Sequence, residues 1–318
     1  MLSKLIEKLK KGNLLESILD NLEENIKYGG NQFKERHRQI IAQKRRIQYC
    51  KKLKREIFDQ VVAECKFSGN LEHERSNIIW FCWLQGIENA PLVIQACYQS
   101  IKEQLCKNNK WKLVVITEKN IVDYVQFPEF IMKKYDSGII TRTHFSDLLR
   151  IELLIRYGGL WIDSTVFLTG NRFFDVIKQS NFFAPSKWVF FNGEIMTHDS
   201  WMIYSISHNE FLMVIRECLY NYWEKYDFQM DYFLLHLFWA LTVSYYGDKI
   251  SSMPYLNVHA CEYLSHILFQ KIDKCVLESI LIQTDIHKLS YKYNDVENVD
   301  MKGTYYSRVL ENNLRGEI

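Results

Sequence analysis

The sequence predicts an α/β protein with a largely parallel sheet, and three observations carry that expectation. Two short apolar runs, 77–83 and 113–117, have the length and flanks of buried strands. Amphipathic helical patterns separate the runs, giving the order strand, helix, strand, helix, helix, strand, as βαβ units do. The third observation is the stretch from His144 to Gly170, HFSDLLRIELLIRYGGLWIDSTVFLTG. Here an amphipathic helix breaks at Gly158-Gly159 and runs straight into a strand ending on Asp163-Ser164-Thr165.

Composition agrees with a globular chain. Of 318 residues, 47% are apolar and 25% charged, enough to bury a sizeable core, and four prolines and 13 glycines leave little room for long linkers. Aromatics reach 14%, which suits a core and also a cleft that takes flat or ring-shaped ligands. The net charge of +2 is uneven: Lys44, Arg45, Arg46, Lys51, Lys52, Lys54 and Arg55 follow one another with no acid between them. The eight cysteines show no C-x-x-C pair, so they are expected to be buried free thiols in a reducing compartment. The first residues carry charges every few positions, unlike a signal peptide, and no apolar run reaches the length of a spanning helix. A cytoplasmic protein, soluble or peripheral to the membrane, is expected.

Two regions follow from the pattern: a basic helical N-terminal segment, 1–75, and an α/β domain, 76–318. In the first, Leu2, Leu5, Ile6 and Leu9 make one helical stripe and Leu14 to Leu22 another. A third, basic helix spans about 33–66. Its charge run is either a solvated face or a surface for anionic lipid headgroups. Nucleic acid is not expected, because no reading module or stacking platform accompanies the charge. In the second region, strand 77–83 leads to a helix from Pro91 to Cys106, then strand 113–117 and a helix after Pro128. Beyond Gly170 the expected elements are a strand at 181–191 and helices at 211–226, 231–246 and 261–272. Strand and loop are expected over 280–293.

The candidate chemistry lies in the central stretch. Asp147 and Arg150 are three apart and share a helix face. Asp163 stands at a strand end, where open α/β sheets place their ligands. The carboxylates can accept hydrogen bonds from sugar hydroxyls, and the guanidinium is a forked donor. Paired glycines allow a tight turn and close backbone approach. On spacing alone, the same residues also fit a surface ion pair and a strand-capping Asp.

The pattern Asp-x-x-Arg-x-x-x-Leu-x-x-x-Gly-Gly-x-x-x-Asp, filled by Asp147, Arg150, Leu154, Gly158, Gly159 and Asp163, resembles the glycosyltransferases with a DXD sugar-binding region. More closely, it resembles the bacterial capsular polysaccharide synthesis protein family. IWFCWLQG at 79–86, Asn89-Ala90-Pro91, Asp231-Tyr232-Phe233 and HKLSYK at 287–292 are similar to other blocks of that family, so the resemblance covers about 76–292. It implies a GT-A-like fold and retaining transfer from a nucleotide-diphosphate sugar donor to an oligosaccharide or lipid-linked glycan acceptor. The setting would be capsule or surface polysaccharide synthesis. The other reading is a non-catalytic nucleotide-sugar-binding scaffold subunit.

The resemblance also implies roles. Asp147 and Arg150 would contact the donor sugar, with His144 and Gly158-Gly159 alongside. Asp163, Ser164 and Thr165 would meet the diphosphate with Mn²⁺ or Mg²⁺, to which His287 could add a ligand. Lys288 would stabilise the leaving nucleotide. Asp231 is either a helix N-cap or a group orienting the acceptor hydroxyl. Trp80 and Trp83 either belong to the core or frame the nucleotide base. His198-Asp199 has the form of a proton relay but lacks a nucleophile. Thr165 replaces the second carboxylate of the DXD triplet, which leaves metal dependence open.

Overall fold

A central sheet forms from short, largely apolar runs. The computed structural model describes residues 31–65, 72–106, 110–186, 196–247, 253–293 and 301–316. Helix α1 (Asn31–Leu53) continues through a π-helical turn, Lys54–Phe58, into α2 (Asp59–Glu64). Next come β1 (Ile78–Cys82), α3 (Leu92–Leu105), β2 (Lys112–Ile116), α4 (Ile121–Tyr124) and α5 (Glu129–Asp136). Helix α6 (Arg142–Tyr157) then leads into β3 (Gly159–Ile162), β4 (Val166–Leu168), α7 (Phe174–Ile177), β5 (Phe182–Phe183) and β6 (Met202–Ser205). The last elements are α8 (Glu210–Lys225), α9 (Leu234–Tyr246), α10 (Val258–Ile267), α11 (Lys274–Gln283), β7 (Ile286–Lys288) and α12 (Tyr305–Leu310).

The five-stranded sheet has the order β2-β1-β3-β6-β5. β1 is parallel to both β2 and β3, while β6 runs antiparallel to β3 and β5. The expected parallel sheet is thus parallel in its first three strands and mixed as a whole. β4 leaves the sheet and pairs antiparallel with β7 in a two-stranded ribbon.

The α6-to-β3 junction is fixed locally. Thr141 caps α6 by accepting from the His144 N–H at 3.2 Å, and the Gly158 N–H closes the helix on Leu154 O at 3.0 Å. Gly158 and Gly159 have φ of 63° and 96°, values that L side chains rarely adopt. A Cβ on Gly159 would lie 2.5 Å from Ile78 O, and one on Gly158 2.8 Å from Ser207 N. These glycines let the chain pack on itself as it enters the sheet.

The main core lies between the sheet and helices α1, α2, α6, α8 and α9, and includes Leu53, Phe58, Trp80, Leu149, Trp223 and Phe238. Leu53, Ile57, Phe58 and Val61 are buried in it, because the extra residue of the π-helical turn brings 53, 57, 58 and 61 onto one face. The region boundary expected near residue 75 is therefore no break in the core. The apolar stripes expected over 2–9 and 14–22, and most of the turn at 28–31, lie outside the described residues.

Four later elements differ from expectation. α10 begins at 258, where Asn257 accepts from the Ala260 N–H, and ends at 267 instead of 272. Residues 280–283 belong to α11, which Asp273 caps at the Val276 N–H, so the strand shrinks to 286–288. The strand expected over 181–191 is two residues long among the described residues; 187–195 lie outside them. α9 starts at Leu234, because Asp231 Oδ1 accepts from the Phe233 N–H at 2.8 Å and makes a turn before the helix.

All eight cysteines are free; Cys97, Cys218 and Cys261 are buried, whereas Cys275 is exposed, against expectation. Of the basic run, Lys44, Lys51, Lys54 and Arg55 are exposed. Arg46 instead packs over the Phe233 ring at 4.7 Å and pairs with Asp231 at 3.4 Å. No helix among the described residues is long and apolar enough to cross a membrane.

Candidate functional site

The site begins with the phase of α6. Thr143, Ser146 and Arg150 are spaced by three and four residues and open onto one cleft. Asp147 lies beside that row and does not line the cleft. It faces Arg150, whose Nη1 donates to Asp147 Oδ1 at 2.9 Å. The other arm of the fork, Nη2, donates to Asp163 Oδ1 at 3.0 Å. The guanidinium thus spans from helix to strand end with its side chain about 5% exposed, and its carbon stands 4.9 Å from the centre of the Trp161 ring.

Asp147 holds this geometry from behind. Burial alone would raise its carboxyl, but Arg150 and His144 outweigh that and hold it below the usual carboxylate range. His144 is buried: its Nε2 accepts from Trp223 Nε1 at 3.0 Å and its Nδ1 lies 3.4 Å from Asp147. Neither Asp147 nor His144 lines the cleft; both stand behind Arg150. They position Arg150.

Asp163 directly follows β3, and the next residues turn sharply, the Val166 N–H donating to Asp163 O at 3.0 Å. Its Oδ1 takes two hydrogen bonds, from Arg150 and from Trp161 Nε1 at 2.9 Å, while Oδ2 turns towards Lys288 Nζ at 3.8 Å. The β4–β7 ladder places that lysine. Val166 pairs with Lys288, and the Leu289 N–H donates to Thr165 O at 2.8 Å. Lys288 Nζ then donates to Thr165 Oγ1.

The cleft, of about 370 Å³, is closed by Cys82 at the end of β1 and Trp83 after it, by Ser164 and Thr165, and by Ser290, Tyr291 and Lys292 after β7. That volume lies within the range of roughly 300–1,000 Å³ usual for small-molecule and cofactor sites. Trp83 meets Tyr291 edge to face at 5.4 Å, and Tyr232 stands at the rim, 65% exposed. Burial pushes the Cys82 thiol up to about 12, which removes it as a thiolate nucleophile.

Several expected site residues lie elsewhere. Trp80 is buried, with Nε1 donating to Gly158 O at 2.8 Å, so it is a core residue and does not frame a base. Gly158 and Gly159 are at the opposite end of β3 from Asp163. Their close approach is to Ile78 and Ser207, not to a ligand. His287 points into the core, where its Nε2 meets Thr169 Oγ1 at 3.0 Å, and burial pushes its pKa down to about 3. As neighbours on a strand, His287 and Lys288 face opposite ways, and only Lys288 reaches the cleft. Asp231 is held by its own turn and by Arg46, while its neighbour Tyr232 lines the cleft. His198, bonded to Thr197 and pushed down to about 4 by burial, does not line the cleft.

Other lining residues had no expected role: Thr143, Ser146 and Trp161 among them. Two had a usable signal. Ser146 precedes Arg150 by one helical turn, and Trp161 precedes Asp163 by the strand period of two.

The donor set suits a divalent cation poorly. Among the described residues no three His, Cys, Asp or Glu side chains gather to hold a metal ion. Asp163 is the one carboxylate lining the cleft among the described residues. Asp163 Oδ2 already faces the ammonium of Lys288 at 3.8 Å, so a dication held there would set like charges side by side.

A larger cavity, of about 650 Å³, opens between Thr169, Arg172, Leu281 and Arg315. Its two arginines are already committed to the buried Asp285, at 2.7 Å each. The smaller cleft is the better candidate, because it lies at the strand ends, where open α/β sheets place their ligands, and Arg142, Lys288 and Lys292 line it beside Asp163.

An α/β protein with a polar cleft at the C-terminal ends of β1 and β3 is the class that fold and site define. The chain belongs to the capsular polysaccharide synthesis protein family, whose model matches residues 30–309. The match takes in α1, α2 and the whole sheet, and so extends further towards the N-terminus than the expected 76–292. A comparison with curated proteins found no significant match.

Proposed function

We propose that the chain is a glycosyltransferase of GT-A type, moving a sugar from a nucleotide-diphosphate donor to an oligosaccharide or lipid-linked glycan during capsule or surface polysaccharide assembly. The observation that carries this reading is the Arg150–Asp163–Lys288 constellation at the strand ends. It offers a carboxylate oxygen for sugar hydroxyls and cations for a diphosphate. Family membership supports the pathway, and the parallel β2-β1-β3 core supports the fold.

In the transfer, the bond between the anomeric carbon and the diphosphate oxygen breaks, and its electron pair leaves on that oxygen. The acceptor oxygen forms the new bond to the anomeric carbon. Its proton passes to the departing diphosphate on the same face, which gives retention. Among the described residues neither His144 nor His287 lines the cleft, and its one carboxylate, Asp163, is engaged by Arg150, Trp161 and Lys288, so no unengaged base faces the acceptor, which supports this same-face route. Catalysis then rests on positioning and on stabilising the departing charge.

Donor hydrolysis tests the reading. With a panel of nucleotide sugars, turnover is expected for at least one donor, falling about 100-fold or more in Asp163→Asn. Binding of a donor without turnover would favour the scaffold reading, which the missing second carboxylate at Thr165 motivates. A protein that neither binds nor turns over any donor would remove both.

A further inference from the structure

We propose that Lys288 is the resident counter-cation of the diphosphate subsite, standing where a DXD-type site would carry its metal, so that the diphosphate is bound without a divalent ion. This rests on the nucleotide-sugar reading of the cleft and goes beyond it, because that reading leaves the metal open. Three observations carry it.

First, the position of the lysine is built into the fold. The β4–β7 ladder sets Lys288 against Val166, and the Leu289-to-Thr165 hydrogen bond clamps the ladder end directly below the cleft. Nζ is held by Thr165 Oγ1, and Asp163 Oδ2 is 3.8 Å away. The first and third residues of the DXD-like triplet therefore both address one ammonium.

Second, the carboxylate is already engaged. Asp163 Oδ1 carries hydrogen bonds from both Arg150 and Trp161, leaving Oδ2 as the oxygen nearest the lysine. A hydroxyl at 165 suits this arrangement, since it accepts from Nζ without adding charge. A second carboxylate would bind the ammonium tightly and neutralise it before the ligand arrives.

Third, the charge lining the cleft fits a dianion better than a dication. Among the described residues, Arg142, Arg150, Lys288 and Lys292 line it against one carboxylate, Asp163. With Lys288 only 22% exposed and facing the cleft, an entering diphosphate meets an ammonium that has no full carboxylate contact to give up.

The test is calorimetric titration of the full chain with inorganic pyrophosphate and with uridine, guanosine and thymidine diphosphates, in excess EDTA and in Mn²⁺. At least one nucleoside diphosphate is expected to bind with affinities within about twofold of each other in the two conditions, and Lys288→Met is expected to weaken it about tenfold or more. A double variant, Thr165→Asp with Lys288→Met, is expected to recover binding in Mn²⁺ but not in EDTA, putting metal and lysine in the same place. Binding by the unaltered chain that needs Mn²⁺ would overturn the proposal while leaving the glycosyltransferase reading intact, as would unchanged affinity in Lys288→Met. No diphosphate binding in either condition would remove the nucleotide-sugar reading, and this proposal with it.

Discussion

Arg150 is gripped by Asp147 and Asp163 at once, so its replacement exposes two carboxylates to each other. Arg150→Met is expected to cost about 3–5 kcal/mol of folding stability, because a buried ion pair broken on one side leaves uncompensated charge. Denaturant unfolding checks this. His287 makes a second residue-scale prediction. Its folded pKa of about 3 lies below the ordinary 6.5. Between those values the unfolded chain takes up a proton that the folded chain refuses. Stability therefore falls as pH drops from about 6.5 towards 3, by up to about 1.4 kcal/mol per pH unit. Melting temperatures across that window are expected to fall less steeply in His287→Gln, which keeps a partner for Thr169. Asp285, held low by Arg172 and Arg315 against the upward pull of burial, acts in the same direction at lower pH. At this scale the sequence was only partly legible. Asp147, Arg150 and Asp163 were identifiable from spacing, but which of them would face the cleft depended on the rotation of α6. His287 and Lys288 were equal candidates until the β4–β7 ladder turned one inward.

The helix-turn-strand unit from α6 to β3 was the most legible element, because a periodic apolar face and two glycines agree; its Thr141 cap, and the start at Arg142, came from the structure. Its glycines support a direct test. Gly159→Ala would push a Cβ onto Ile78 O in an already unfavourable backbone conformation, whereas Gly138, at φ 74°, has nothing within 4 Å. Gly138→Ala is expected to lose about 1–2 kcal/mol from backbone strain alone. Gly159→Ala should lose about 4 kcal/mol or more. Equal losses would mean that the junction is not packed as described. The elements beyond Gly170 were less legible for a physical reason. Residues 280–283 are apolar at neighbouring positions, a pattern that serves helix or strand equally, and the Asp273 cap seven residues upstream decides for helix. The ribbon that carries Lys288 is only three pairs long, too short for periodicity to reveal.

At the scale of the whole molecule, α1 and α2 belong to the folded body. Burial of Leu53, Ile57, Phe58 and Val61 is worth about 1.5–3 kcal/mol each, a large share of the roughly 5–15 kcal/mol that stabilises a domain. Deleting residues 31–64 is therefore expected to unfold the protein, seen as loss of cooperative melting. Membrane attachment has to be tested by charge instead. We propose that the exposed Lys44, Lys51 and Arg55 rest on anionic lipid at the cytoplasmic face. Reversing all three to Glu is then expected to abolish flotation with phosphatidylserine vesicles while leaving the melting temperature unchanged, and flotation that persists would end that idea. The sequence showed the charge but not that the same helix builds the core, because burial of one face is set by partners distant in the chain. The central claim, that the cleft beside Lys288 receives a nucleotide-diphosphate sugar, is tested most directly by a crystal structure with a bound nucleoside diphosphate. The account predicts phosphate oxygens within about 3 Å of Lys288 Nζ, at hydrogen-bond distance. Diphosphate seated instead between Arg172 and Arg315, in the larger cavity, would contradict it.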